Sequence, residues 1–378
     1  MPKKFCFIFT ILICIFVLSY TASASNISAK GASLIEVSHG DLVYAKNENA
    51  RLPMASTTKI MTALVVLENS SLDDVITIEP SMVNIEGSSI YLHVGEKLTV
   101  EDLLYALLLE SANDASVALA IHIAGDIDAF AQMMNEKALE MGLVNTNFKN
   151  PHGLDDDEHY TTAYELGMIA KCAMENEKFV EICSTYKKSI PLDNGEGTRL
   201  LINHNKLLRS YEGAIGIKTG FTRKCGRCLV SCASKNGVTL ICVTLNDPND
   251  WQDHKALLDY GFSQYENVKL ASPGDYSVEM NSIGGEKTSF IAENTDELSV
   301  IVKGDTSNIY AVLEANRLIS APIRRGDYVG KIIFYNNNQI IGTLPLFSKE
   351  NIGRISFKKS LFERLFSNGK NQTSKILY

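Results

Sequence analysis

Ser56 and Lys59 stand three residues apart, and together they have the makings of a nucleophile and its base. A serine hydroxyl attacks poorly until a base takes its proton. Residues at i and i+3 on a helix share a face, so Lys59 is expected beside Ser56. A lysine in water is protonated and has no lone pair to offer. Burial disfavours its charged form, and a second nearby cation pushes the same way. The residues after Ser56 supply that burial. Ile60, Met61, Ala63, Leu64, Val65, Val66 and Leu67 are apolar nearly all round, which predicts a helix inside a domain. A helix start also leaves backbone N–H groups free for an oxyanion.

Two further elements follow in order, Ser111-Ala112-Asn113 and Lys218-Thr219-Gly220. Ser111 and Asn113 fall at a predicted break between helices, so their side chains are expected to reach a cleft. There Ser111 would relay a proton to a leaving amine. Asn113 would hydrogen-bond a substrate amide and hold Lys59. Lys218 and Thr219 end a predicted strand and would offer a cation and a hydroxyl to a terminal carboxylate. Gly220 has no side chain, so a substrate backbone could approach closely. Context separates these copies from chance ones. Ser-x-x-Lys recurs at Ser184/Lys187, Ser356/Lys359 and Ser367/Lys370, and Ser-x-Asn at Ser234/Asn236, whereas Lys-Thr-Gly occurs once.

The elements that must position these groups are legible in outline. Ala32–Val37 and Leu42–Tyr44 read as strands around the turn His39-Gly40-Asp41. Residues 97–185 form a helix-rich block. Thr99/Asp102 and Thr162/Glu165 have capping-box spacing, and a further helix is expected over Ile127–Gly142. Strands return at Ala214–Lys218, Arg227–Ser234 and Val238–Leu245, the last two joined by the hairpin turn Asn236-Gly237. A helix over Asp253–Tyr265 follows. One sheet built from both ends of this region and covered by helices is the economical solution. After Val268, short strands and turns predict a small all-β domain.

The three motifs together, S-x-x-K, S-x-N and K-T-G, identify a resemblance to serine β-lactamases and penicillin-binding proteins. The text around them, Asn150-Pro151-His152-Gly153-Leu154, His159-Tyr160-Thr161-Thr162-Ala163 and Gly216-Ile217-Lys218-Thr219-Gly220-Phe221-Thr222, narrows it. The chain resembles the low-molecular-mass penicillin-binding proteins, specifically the D-alanyl-D-alanine carboxypeptidases. The resemblance implies an α/β (α+β) β-lactamase/transpeptidase-like domain with an antiparallel sheet, covering helices and a helical subdomain, then a small all-β domain. It implies attack by Ser56 on the bond between two D-alanines of a peptidoglycan stem, with Lys59 as base and Ser111 as relay. Asn113, Lys218, Thr219 and Gly220 would bind substrate, and the backbone N–H groups of Ser56 and Phe221 would form the oxyanion hole. β-Lactams would acylate Ser56. No metal or organic cofactor is implied.

Two departures stand out. Some members carry His where this chain has Phe221. Many also have an arginine shortly before the last helix of the domain, and this chain reads Asp250-Trp251-Gln252-Asp253-His254 there, so carboxylate binding is expected to lean more on Lys218 and Thr219. A β-lactamase is the nearest rival, but the segment after the second motif reads Asn150-Pro151-His152-Gly153-Leu154, with no glutamate in a matching context to activate a deacylating water. A non-catalytic wall-binding protein is the other, and the intact motif residues argue against it.

The remaining features set the surroundings. Lys3, Lys4, the apolar run Phe5–Leu18 and Ala22-Ser23-Ala24 predict a signal peptide over 1–24, hence export. The divisions expected beyond it are 25–266 for the carboxypeptidase domain, 267–353 for the β domain and 354–378 for a tail. Ile355, Phe357, Leu361, Phe362, Leu365 and Phe366 share a helical face in that tail, suited to the outer face of a membrane. A net charge of -8 argues against a nucleic-acid partner. Cys225 and Cys228 read as ordinary loop and strand cysteines, with a local disulfide as the alternative, and Cys232 and Cys242 are not expected to pair. His152 and His159 are expected to be structural, since Lys59 is available as base. Asp155-Asp156-Asp157-Glu158 reads as a solvated loop, because it lacks the spaced ligands of a calcium loop.

Overall fold

The computed structural model describes residues 27–192 and 196–355. The predicted signal peptide and all but the first two residues of the predicted tail lie outside them. The chain divides into two compact units, residues 1–235 with 239–263, and residues 236–238 with 264–378.

The first unit is organised by a five-stranded sheet. Its strand order is Leu42–Lys46, Gly31–Glu36, Val238–Leu245, Gly226–Lys235, Ala214–Thr222. The N-terminal hairpin therefore joins strands from the far end of the sequence. Gly31–Glu36 runs antiparallel to Val238–Leu245, with Leu34 opposite Cys242 and Ile35 opposite Ile241. Alternation along this strand sends successive side chains to opposite faces. Ile35 meets the helix Ala163–Ala173, where a Cβ on Gly167 would lie 2.6 Å from its Cδ1. Leu34 meets the helix Asp250–Ser263, where a Cβ on Gly261 would lie 2.6 Å from its Cδ2. Glycine on each helix lets a layer close onto each face.

The strand carrying Lys218 is longer than the sequence suggested, running Ala214–Thr222 along one edge of the sheet. Its neighbour begins at Gly226, and the final helix starts at Asp250 and ends at Ser263 rather than spanning 253–265. The hairpin turn at Asn236-Gly237 is present, with both residues at positive φ, 52° and 83°.

The helical block holds Lys59–Asn69 at its centre, packed against Ala163–Ala173, Asn113–Ala124, Ile127–Glu140, the turn Ala106–Glu110 and Glu177–Ser184. Thr99 caps its helix as expected, accepting from the N–H of Asp102 at 3.1 Å. Thr162 likewise accepts from Glu165 at 3.1 Å. The Glu165 carboxylate is diverted, however, to the N–H of Asn145 and the hydroxyl of Thr146. A hairpin over Lys187–Leu192 and Gly197–Ile202 was not anticipated.

The second unit is all β among the described residues. A six-stranded sheet and a two-stranded one make it up, around a core of Met280, Phe290, Val329, Ile332, Phe334, Leu344 and Leu346. Among the described residues, no single helix is long and apolar enough to cross a membrane.

Candidate active site

Ser56 sits in a 3₁₀ turn, Ala55–Thr58, that feeds the helix Lys59–Asn69. With three residues per turn, positions i and i+3 eclipse, so Lys59 stands directly in line with Ser56. Ala55 before it has φ 48°, a left-handed conformation that costs an alanine free energy and must be held by its surroundings. Two contacts hold it. The hydroxyl of Thr58 donates to the carbonyl of Ala55 at 2.8 Å. Gly153, at φ +88°, packs so closely that a Cβ there would lie 2.0 Å from the same carbonyl oxygen.

His159 completes the brace. The N–H of Lys149 donates to its Nδ1 at 3.0 Å, so Nε2 carries the proton and donates to Thr58 Oγ1 at 2.7 Å. Burial drives its pKa down to about 4 and that of His152 to about 3, so both rings stay neutral. Neither ring is hydrogen-bonded to Ser56; the hydroxyl meets Lys59 instead.

Lys59 is fully buried, and its Nζ has three neighbours within hydrogen-bond reach. They are Asn113 Oδ1 at 2.6 Å, the carbonyl of His152 at 2.7 Å and Ser56 Oγ at 3.1 Å. The first two can only accept. Asn113 cannot be flipped, because its Nδ2 donates to the carbonyl of Glu86 at 2.6 Å. Burial pushes the Lys59 pKa well below its ordinary value, and Lys218 pushes it further, while Asp114 opposes them. A neutral lysine amine has two hydrogens and one lone pair. The two hydrogens are taken by Asn113 and His152, and the lone pair is left facing the Ser56 hydroxyl.

Asp114 shapes the opposite wall. Buried at the start of the helix Asn113–Ala124, its carboxylate accepts from Ser89 Oγ at 2.6 Å and from the N–H groups of Ile90 and Leu92. This fixes the loop that also supplies the Glu86 and Ser88 carbonyls to Asn113. Ser111 ends an irregular π turn, Ala106–Glu110, in a left-handed conformation at φ 61°. That break turns Ser111 into the cleft it shares with Ser56.

The third element approaches along the sheet edge. A Cβ on Gly220 would lie 3.1 Å from the backbone nitrogens of both Ser56 and Thr57, so the strand packs tightly against the 3₁₀ turn. Lys218 is buried, donates to the carbonyl of Thr219 at 3.0 Å, and has its pKa lowered by burial to about 7, with Glu110 acting in opposition. Phe221 is 63% exposed, and its ring lies at the cleft rim.

The resulting cleft has a volume of about 310 Å³. Ser56, Ser111, Thr219, Gly220 and Phe221 line one part. The rest is formed by residues the motifs did not indicate, Ser88, His204, Lys206, Arg227, Asp250 and Trp251. Lys59, Asn113 and Lys218 stand behind the lining. All eight residues singled out in the sequence thus lie in or directly behind one cleft. Asp114 and His159 as positioning groups, and Arg227, carried no spacing signal.

Cys225 and Cys228 are buried thiols with sulfurs 3.2 Å apart, and Cys232 and Cys242 are also free. Among the described residues no cluster of His, Cys, Asp and Glu is placed to hold a metal. The acidic loop is exposed and ties to the hairpin turn beside the cleft. Asp155 accepts from Thr222 Oγ1 at 2.8 Å, and Asp157 pairs with Lys224.

Comparison with known proteins agrees with this geometry. Residues 19–249 match the family described as D-alanyl-D-alanine carboxypeptidase, and residues 265–354 match the penicillin-binding protein 5 C-terminal domain. The D-alanyl-D-alanine carboxypeptidase DacF of Bacillus subtilis is 33% identical over 340 residues, 87% of each chain. DacC of Escherichia coli is 29% identical over 89% of this chain and 87% of its own. Penicillin-binding protein 5 from Haemophilus influenzae superposes with a TM-score of 0.63 at 28% identity, covering 87% of this chain and 98% of that one. The Streptomyces K15 DD-transpeptidase, 35% identical, gives 0.60 over 63% of this chain and 98% of its own. The chain belongs to the D-alanyl-D-alanine carboxypeptidase family, a low-molecular-mass penicillin-binding serine hydrolase.

Proposed function

We propose that this enzyme removes the terminal D-alanine from peptidoglycan stem pentapeptides through an acyl ester on Ser56. The observation that carries the reading is the hydrogen-bond arrangement at Lys59, which occupies both amine hydrogens and leaves the lone pair on Ser56. Lys59 takes the hydroxyl proton as Oγ attacks the penultimate D-alanine carbonyl. The N–H groups of Ser56 and Phe221 receive the oxyanion. Ser111 passes the proton on to the departing amine, and D-alanine leaves. Water then attacks the ester, gives up its proton to Lys59, and Ser56 is regenerated. Asn113 keeps Lys59 in place and has one amide hydrogen left for the substrate. β-Lactams enter the same path and stall as the Ser56 ester.

The test is D-alanine release from a peptide ending in D-Ala-D-Ala, run beside Ser56→Ala. Release by the parent and only background from the variant is expected, with a fluorescent penicillin labelling the parent alone. Equal rates would remove Ser56 from the mechanism.

The same reading places the enzyme outside the cytoplasm. The basic start, apolar run and small-residue site over 1–24 support export, and the apolar face of the 354–378 segment supports peripheral attachment to the outer face of the membrane. A chain ending at Gly353 is expected in the soluble fraction with undiminished activity on a soluble peptide. Retention of that shortened chain on membranes would exclude the tail as the anchor.

A further inference from the structure

The cleft has a second end, and its chemistry is not explained by acylation. Arg227 stands there, on the strand Gly226–Lys235, directly across from Phe221 in the register of the sheet edge. Cross-strand partners project to one face, and Thr219, two residues before Phe221, shares it. Arg227, Phe221 and Thr219 accordingly all line the cleft. One guanidinium nitrogen, Nη2, donates to Asp250 Oδ2 at 2.8 Å. The two partners differ in exposure, with 42% of the Arg227 side chain accessible but only 3% of that of Asp250. The carboxylate is thus a buried brace, and the guanidinium faces the cleft with N–H groups to spare. The Trp251 ring lies 5.8 Å from the Arg227 guanidinium carbon and closes the other side.

We propose that Arg227, held by Asp250, binds the carboxylate of the substrate's terminal D-alanine and so selects for a free C-terminus. The proposal rests on the carboxypeptidase reading above and adds a residue to it. Three cations compete for the role. Lys218 is buried behind Thr219 and already donates to its carbonyl at 3.0 Å. Lys206 is exposed, with its Nζ also 5.8 Å from the Trp251 ring centroid, and it offers a point charge rather than a fork. Arg227 presents a planar fork that matches a carboxylate. Asp250 holds one edge of the fork and so fixes its plane. Discrimination by geometry is what such a pair supplies.

The test compares two peptides with the full chain, one ending in D-Ala-D-Ala with a free carboxylate and one ending in the C-terminal amide. The parent is expected to favour the acid by about 10²-fold in kcat/KM, the order of one hydrogen-bonded charge pair. Arg227→Gln should lose most of that preference by slowing the acid alone, and the amide rate should hold. Arg227→Lys should retain roughly a tenth of the acid rate and serves if the glutamine variant does not fold. Lys206→Gln should leave the preference intact. The exchange Arg227→Asp with Asp250→Arg puts a fork back from the other wall and should recover part of the selectivity. A parent that releases no D-alanine from the acid would overturn the proposed function itself. An active parent whose preference survives in Arg227→Gln, or a variant that slows both peptides equally while its melting point falls, would reduce Arg227 to a structural ion pair.

Discussion

In the second unit the apolar residues hidden from water include Met280, Phe290, Ile332, Phe334, Leu344 and Leu346, with Asn294, Asn336 and Ser348 the buried polar ones among those described. No charged residue and no histidine is buried there among the described residues. In the first unit Lys59, Lys218, Asp114, Asp250, His152, His159 and His254 are all buried. Burying an ionisable group costs free energy that an apolar side chain would not. The second unit is what a sheet core looks like when it has only to be stable. The first carries the cost where the chemistry is, and surrounds each such group with partners.

Removing a group from each region should sharpen that contrast. Lys59→Met deletes the base and is expected to lower kcat/KM for D-alanine release by about 10⁴-fold, equivalent to about 5.5 kcal/mol. Labelling by a fluorescent penicillin should slow in parallel. Phe334→Ala, in the second core, should cost that unit about 3–5 kcal/mol of stability. Its activity on a soluble peptide should equal the parent's. Urea unfolding followed beside kinetics reads both, and a Phe334→Ala enzyme with impaired turnover would break the comparison.

A smaller effect tests the brace under Ser56. Gly153→Ala places a Cβ where the Ala55 carbonyl now stands, on a backbone conformation that alanine resists. The carbonyl must move, and Ser56 moves with it. Displacement by about 1 Å in a reacting group costs about 10²-fold in rate. The loss should fall on kcat and on the acylation rate more than on KM. Parent-like acylation would mean the turn does not depend on this packing.

The sequence revealed the parts of this site that obey a local period. The Ser56–Lys59 spacing, the two-ended sheet and the Asn236-Gly237 hairpin each follow from repeats of two to four residues. What was not legible depends on tertiary contact. The π turn before Ser111 and the left-handed Ser111 itself leave no mark in a run of Leu107, Leu108 and Leu109 that reads as ordinary helix. Asp114 holds the Ser89–Leu92 loop through partners more than twenty positions away, which no local spacing marks. The hairpin at Lys187–Ile202 alternates too weakly and contains Pro191. Arg227 read as the first residue of a strand, because its pairing with Asp250 joins elements that only the sheet brings together.

The mildest perturbation is protons. His254 lies fully buried under the sheet, with Ser231 Oγ 2.6 Å from Nδ1 and Thr244 Oγ1 3.0 Å from Nε2, and burial lowers its pKa to about 3. In the unfolded chain a histidine titrates near 6.5. Between those values the unfolded state binds a proton that the native state does not, so stability falls as pH drops below about 6.5 and continues to fall toward about 3. The contribution is about 1.4 kcal/mol per pH unit for this one group. His254→Gln keeps a donor and an acceptor but has nothing to titrate. Urea unfolding of the first unit at pH 6 and pH 5 should therefore show a slope shallower than the parent's by about one proton, whatever the change in absolute stability. The second unit, with no buried ionisable group among its described residues, should keep its midpoint over the same range. Equal slopes in parent and variant would mean that His254 takes its proton without unfolding, and that the cost of burying it is smaller than its surroundings imply.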